Sequence, residues 1–184
     1  VALPLPGVEV RVVNAEGAPV HGGVIGDIQV RGDNVFKGYW RMPEKTAEDL
    51  GDDGFFTTGD KGTRCERGYV SIVGRAKDMV ISGGLNVYPK EVELVIDSLD
   101  GIRESAVIGI AHADFGEAVV AVVIYHGGQD QPDEAAIIAA LKAQIAGFKV
   151  PKKVIAIEQL PRNTMGKVQK NRLRERFNDL FKSI

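Results

Sequence analysis

Residues 88–125, YPKEVELVIDSLDGIRESAVIGIAHADFGEAVVAVVIY, decide the fold. Val92, Val95, Ile96 and Leu99 recur every three or four residues, which places them on one stripe of a helix over Tyr88–Leu99. Pro89 suits the first turn of that helix and Gly101 stops it. The period then changes. Ser105–Ile110 and Ala118–Tyr125 are short runs rich in Val and Ile and read as strands. Toward the C-terminus, Asp133–Phe148 reads as a second helix, capped by Asp133 and closed near Gly147. Lys153–Glu158 reads as a strand, and Lys170–Phe181 as a last helix carrying Leu173, Phe177, Leu180 and Phe181. Strands and helices alternate here, so the expectation is an α+β domain with its own core.

Toward the N-terminus the pattern is different. Val8–Val13, Val24–Arg31 and Tyr69–Val73 read as short strands, separated by turn clusters such as Asn14-Ala15-Glu16-Gly17 and Asp52-Asp53-Gly54. One short helix fits Pro43–Leu50. The expectation is a small β-rich subdomain over residues 1–76, followed by a compact α+β domain over 77–184. The boundary near Arg75–Asp78 has no long linker, so two units joined there would rotate about a very short connector.

Composition removes several classes. No apolar run approaches the roughly 20 residues of a membrane-spanning helix, and no signal-peptide pattern opens the chain, so no membrane partner is expected. The lone Cys65 excludes an internal disulfide and any multi-cysteine metal site; His21, His112 and His126 are too scattered for a zinc site, so no metal ligands are expected. A reducing, cytoplasmic setting is the default. The first residue is Val1, which suggests a processed chain or a piece of a longer one. The net charge of −2 conceals an asymmetry: Lys149–Lys182 holds ten Lys/Arg against three Asp/Glu, a balance of +7, leaving −9 for the first 148 residues. That stretch is either a solvated helix face or a surface for an anionic partner. Its apolar spacing fits a packed helix and the chain as a whole is acidic, so nucleic acid is a poor partner.

Four segments carry candidate chemistry. In Phe55-Phe56-Thr57-Thr58-Gly59-Asp60, the Asp60 carboxylate is either a turn residue or an acceptor for two hydroxyls of a ribose. In Gly74-Arg75-Ala76-Lys77-Asp78, Arg75 is either part of a solvated connector or a fork for phosphate or ribose oxygens. Ser82-Gly83-Gly84-Leu85-Asn86-Val87-Tyr88-Pro89 is either a phosphate-cradling turn at a helix N-terminus, a place where an extended ligand passes close to the backbone, or a simple hairpin. In Leu160–Lys170, Pro161 and Gly166 bracket a loop with Lys167 just past its tip, a surface residue or a point charge for a reacting phosphate.

In order and spacing, these segments together resemble the adenylate-forming superfamily, which includes acyl-CoA synthetases. The resemblance covers the C-terminal part of such an enzyme and includes Gly32–Trp40 upstream. A closer resemblance, to malonyl-CoA or methylmalonyl-CoA synthetases, is carried by Phe36–Thr46, His112–Glu117 and Leu160–Asn171. The resemblance implies ATP with Mg2+ and coenzyme A as substrates, a small carboxylic acid, and a missing N-terminal domain as partner, without which this piece is inactive. It implies ribose and nucleotide contacts from Asp60 and Arg75, a hinge at Lys77 and a catalytic Lys167. It further implies coenzyme A contacts from Ser82, Gly83 and Gly84, with Phe148 stacking on the nucleotide and Lys152 pairing with phosphate. Val150 departs from the pattern, since some relatives carry an arginine there. Another short- or medium-chain acyl-CoA synthetase, or a stand-alone module binding coenzyme A or nucleotide, are the alternatives.

Overall fold

The computed structural model describes residues 2–128 and 131–182; Val1 lies outside them. The chain divides into two compact units, Val1–Lys77 and Asp78–Ile184.

The first unit is a four-stranded antiparallel meander. Strands β1 (Glu9–Val13), β2 (Gly26–Arg31), β3 (Phe56–Arg64) and β4 (Val70–Arg75) lie in sequence order, and helix α1 (Pro43–Asp49) sits in the β2–β3 connection. Its core is small: Val12, Val13, Ile28 and Phe55 are buried. Arg11 and Arg31 compensate by placing guanidiniums 3.8 Å and 4.4 Å from the Phe55 ring centroid, covering an aromatic that a thin core would leave wet. β3 is absent from the strands expected by pattern. Gly59 and Gly62 interrupt it and Asp60 and Lys61 stand where alternation asks for apolar residues, so its pairing, not its period, makes it a strand.

The second unit opens on the hairpin β5 (Val80–Ser82) and β6 (Leu85–Val87), followed by α2 (Pro89–Asp97), β7 (Ile102–His112), β8 (Gly116–Tyr125), α3 (Glu134–Lys142), β9 (Lys153–Ala156) and α4 (Lys170–Arg176). The sheet runs β6-β5-β8-β7, with β9 pairing parallel to β8. β7 and β8 form its longest antiparallel pair, from Ile102↔Tyr125 to His112↔Gly116, with β7 at the edge. β8 is apolar without alternation because both its faces are covered. Val119, Ala121 and Val123 pack with Val92 and Ile96 of α2 and Ile137 and Leu141 of α3; Val120, Val122 and Ile124 pack on the opposite face with Leu160 and Leu173 of α4. The α+β expectation holds.

The Gly pair takes the hairpin form among the alternatives open to it. Two expectations need correction. The second helix ends at Lys142 rather than Phe148, and a separate 3-10 turn covers Gly147–Lys149. The break lets the chain turn so that Ile145 and Phe148 pack on the α2–α3 core and Val150 enters it. Regular helix also ends at Arg176 rather than Phe181; hydrogen-bonded turns continue from Phe177 to Lys182 and keep Phe177, Leu180 and Phe181 on the α4 side of the core.

Candidate functional site

On the first unit, Asp60 sits at an irregularity of β3. Gly59 takes φ +73°, which a side chain resists, and the register with β4 shifts just past Lys61. Thr58 fixes the kink: its Oγ1 donates to the Ile28 carbonyl (2.9 Å) and accepts the Asp60 N–H (3.1 Å). Arg75 faces Asp60 across the β3–β4 pair. Its Nε lies 2.9 Å from Asp60 Oδ1, and its Nη1 donates to the Thr58 carbonyl (3.2 Å). Two residues singled out separately thus form one unit: a carboxylate acceptor and a guanidinium donor, held side by side on a backbone bulge. Lys77 is exposed, at the middle of the 3-10 turn Ala76–Asp78, and is the last residue of this unit.

On the second unit, Gly83 and Gly84 form the two-residue tip of the β5–β6 hairpin, with φ +59° and +78°. Both values are left-handed, as a type I′ turn requires. The tip precedes α2 by several residues, so the phosphate-cradle form at the helix N-terminus does not apply and the hairpin form does. No atom lies within 4 Å of where a Gly84 side chain would begin, which leaves the backbone open to an approaching ligand. Ser82 is buried, at 4% exposure, and pairs with Leu85 and Gly116. The Gly83 N–H donates to the Phe115 carbonyl (2.9 Å), and Lys152 Nζ stands 4.5 Å from the Phe115 ring centroid. Phe115 therefore joins the Gly pair to Lys152. It was not singled out as a site residue, because nothing in a turn sequence shows which strand end it will meet.

Phe148 lies in the 3-10 turn beside β6, half-buried against the α2–α3 core, with Lys149 Nζ 5.6 Å from its ring centroid. Lys149 is also anchored to Glu91 of α2 at 2.6 Å. Lys152 lines an open cleft of about 770 Å³ with Lys142 and Lys153 between α3 and β9. Val150 is 4% exposed and belongs to the core, so the position is an apolar plug facing inward.

Lys167 stands apart from these, on the loop between β9 and α4. Asn163 organises the loop: its Oδ1 accepts the N–H groups of Met165 (3.0 Å) and Lys167 (2.9 Å), and its own N–H donates to the Lys167 carbonyl (3.0 Å). The Lys167 backbone is fixed while the residue stays exposed, and its ammonium makes no ion pair among the described residues. No helix of the described residues is long and apolar enough to cross a membrane.

Comparison with known proteins matches residues 91–167 to the AMP-binding enzyme C-terminal domain and residues 1–40 to the AMP-binding enzyme family. The chain is 47% identical over 171 residues to 3-[(3aS,4S,7aS)-7a-methyl-1,5-dioxo-octahydro-1H-inden-4-yl]propanoyl:CoA ligase of Rhodococcus jostii (strain RHA1), covering 93% of this chain and 31% of that protein. It is 44% identical over 169 residues to feruloyl-CoA synthase of an Amycolatopsis species, covering 92% and 34%. ATP-bound MatB from Rhodopseudomonas palustris superposes with a TM-score of 0.93 at 58% identity, covering 98% of this chain and 36% of that one; the apo form gives 0.71 at the same identity and coverage. The chain thus spans about a third of the length of the curated relatives it matches. An α+β unit with these strands and helices, matched along most of its length by CoA ligases, has one family reading: the chain belongs to the AMP-binding enzyme family, and residues 91–167 carry that family's C-terminal domain.

Proposed function

We propose that this chain serves as the C-terminal third of an AMP-forming acid:CoA ligase, and that it supplies one half-reaction with Lys167 and the other with the Gly83-Gly84 hairpin. In the first half-reaction a carboxylate oxygen attacks the α-phosphate of Mg2+-bound ATP; the bond to the β-phosphate breaks, and pyrophosphate leaves. In the second, the coenzyme A thiol attacks the acyl carbon, its proton is lost, and AMP departs with the electron pair of the acyl–oxygen bond.

The first step brings an anion onto a polyanion. Two unit charges about 4 Å apart repel by about 4 kcal/mol at an effective dielectric near 20. An ammonium between carboxylate and phosphate oxygens offsets that repulsion as charge shifts, and losing such a preorganised donor costs on the order of 10²–10³ in rate. Lys167 fits the role because its backbone is pinned by Asn163 while its ammonium is free of ion pairs among the described residues. That combination is the observation that carries the reading. Asp60 would accept the ribose hydroxyls, with Arg75 holding the carboxylate and offering its remaining N–H groups to the nucleotide. The second step needs Lys167 withdrawn and the hairpin brought in. A torsion change at Lys77, the last residue of the first unit, would swing the second unit as a body. Phe115, Phe148 and Lys152 would then flank the entering pantetheine and nucleotide.

The acid is proposed to be malonate or methylmalonate. Support comes from the stretches Phe36–Thr46, His112–Glu117 and Leu160–Asn171, and from the 58% identity to MatB against 47% to the indene-propanoyl ligase. A screen of the complete ligase with short mono- and dicarboxylic acids, ferulate and fatty acids, read as CoA thioester by mass spectrometry, tests this. Malonate or methylmalonate is expected to exceed acetate, ferulate and palmitate by at least tenfold in kcat/KM; equal or better turnover of the latter acids contradicts it.

A further inference from the structure

Glu93 is the one charged side chain among the described buried residues, at 6% exposure. Its Oε1 accepts the Val107 N–H of β7 (2.9 Å) and lies 2.6 Å from Lys170 Nζ. Three elements meet at one oxygen: α2, β7 and the first residue of α4. The Lys170 side chain is itself only 16% exposed. This arrangement is expensive on two counts. Taking two charges out of water costs more than their attraction commonly returns. A cation in the first turn of a helix also opposes the helix dipole. Stability alone would be served as well or better by apolar residues at both positions.

Lys170 follows Lys167 by three residues, at the C-terminal foot of the loop, where Gln169 N–H donates to the Pro161 carbonyl (2.8 Å). The other foot is held in parallel fashion. Arg162 pairs with Glu104 of β7 and donates to the Gly166 carbonyl, and Leu160 is buried against β8. Both feet of the loop are therefore tied by ion pairs to groups on, or hydrogen-bonded to, the same strand, β7. We infer that Glu93 and Lys170 are positioning residues: their buried pair fixes the foot of the Lys167 loop on the β7 framework, so that the ammonium reaches the same place each time the unit docks. The inference rests on the role proposed for Lys167. A displacement of about 1 Å at such a group costs up to about 100-fold in rate.

The test uses the paired neutral change Glu93→Gln/Lys170→Met in the complete ligase. The Gln oxygen still accepts the Val107 N–H and neither charge is left alone. The expected result is a 10- to 100-fold loss in kcat of acyl-adenylate formation, with KM for ATP and thioester formation from pre-made acyl-adenylate both within twofold of wild type. An equal fall in both half-reactions, as general loss of folded enzyme would produce, overturns the inference, and so does no change in either. A second measurement needs no variant: amide hydrogen exchange of this chain. The Lys167 and Gln169 amides are expected to exchange at least 100-fold more slowly than unstructured peptide; exchange at the unstructured rate overturns the inference. Lys167→Ala in the same ligase separates the two readings. If it leaves adenylation intact, the role of Lys167 fails and the exchange result still decides whether the loop foot is fixed.

Discussion

Asp60 and Arg75 show what a single residue owes to its setting. Neither sequence segment announced a site, since an Asp in a turn and an Arg in a connector are ordinary. Folding across β3–β4 joins them at 2.9 Å and gives the carboxylate a fixed direction. Glu134, at the start of α3, makes a different use of charge. Hydrogen bonding from the Lys153 ammonium (2.8 Å), assisted by the Val154 N–H (2.9 Å), pulls its carboxyl below the ordinary glutamate value against the opposing effect of burial. A carboxyl depressed in the folded state adds stability above its unfolded value of about 4.3 and loses it as pH falls through the lower folded value. Glu134→Gln should therefore lower stability at pH 7 by at most about 1 kcal/mol, because the pair is partly in water. The gap should close below about pH 4. Urea unfolding of both proteins at pH 7 and pH 3.5 checks this; a gap that widened toward acid would refute it.

Among the elements, β5–β6 depends on glycine in two distinct ways. The tip needs left-handed φ at Gly83 and Gly84. The base needs Gly109 on β7 for lack of a side chain: a Cβ there would stand 2.6 Å from Glu117 Oε1 and 2.9 Å from Val80 Cγ1. Glu117 uses that space to accept the Ile81 N–H (2.8 Å), which ties β5 to β8 beyond the single pair Ser82↔Gly116. Gly109→Ala should cost about 1–3 kcal/mol by overpacking. Chemical denaturation measures it, and a loss under 0.5 kcal/mol would show that Glu117 moves aside freely. These elements also mark how far the sequence could be read. Helix α2 was legible because Val92 and Ile96 face the core at helical spacing and Pro89 opens it, though it ends at Asp97, short of the expected Leu99. β7 and β8 were legible as apolar runs, though each extends past the expected limits because pairing continues where side chains turn polar. β3, β5 and β6 were not legible: three-residue strands have no period, and β3 carries Gly59, Asp60, Lys61 and Gly62 in its middle. Of the candidate site, Asp60, Arg75, Lys77, Ser82, Gly83, Gly84, Phe148, Lys152 and Lys167 are named through the family resemblance that the order of the motifs carries. Phe115 and the Glu93–Lys170 pair could not be named so, since both follow from which strands become neighbours.

For the molecule as a whole, the two units have unequal means. The first relies on four buried apolar side chains in its meander, reinforced by arginines over Phe55. The second has cores on both faces of its sheet. The charge asymmetry follows this division, with the +7 balance of Lys149–Lys182 lying wholly on the second unit. If Lys167 serves one half-reaction and is absent from the other, its loss separates the two. Measuring both on Lys167→Ala in the complete ligase tests it directly, with ATP–pyrophosphate exchange for adenylation and thioester formation from pre-made acyl-adenylate for transfer. The expected result is a loss on the order of 10²–10³ in exchange with transfer within a few-fold of wild type; an equal loss in both would refute the separate role of Lys167.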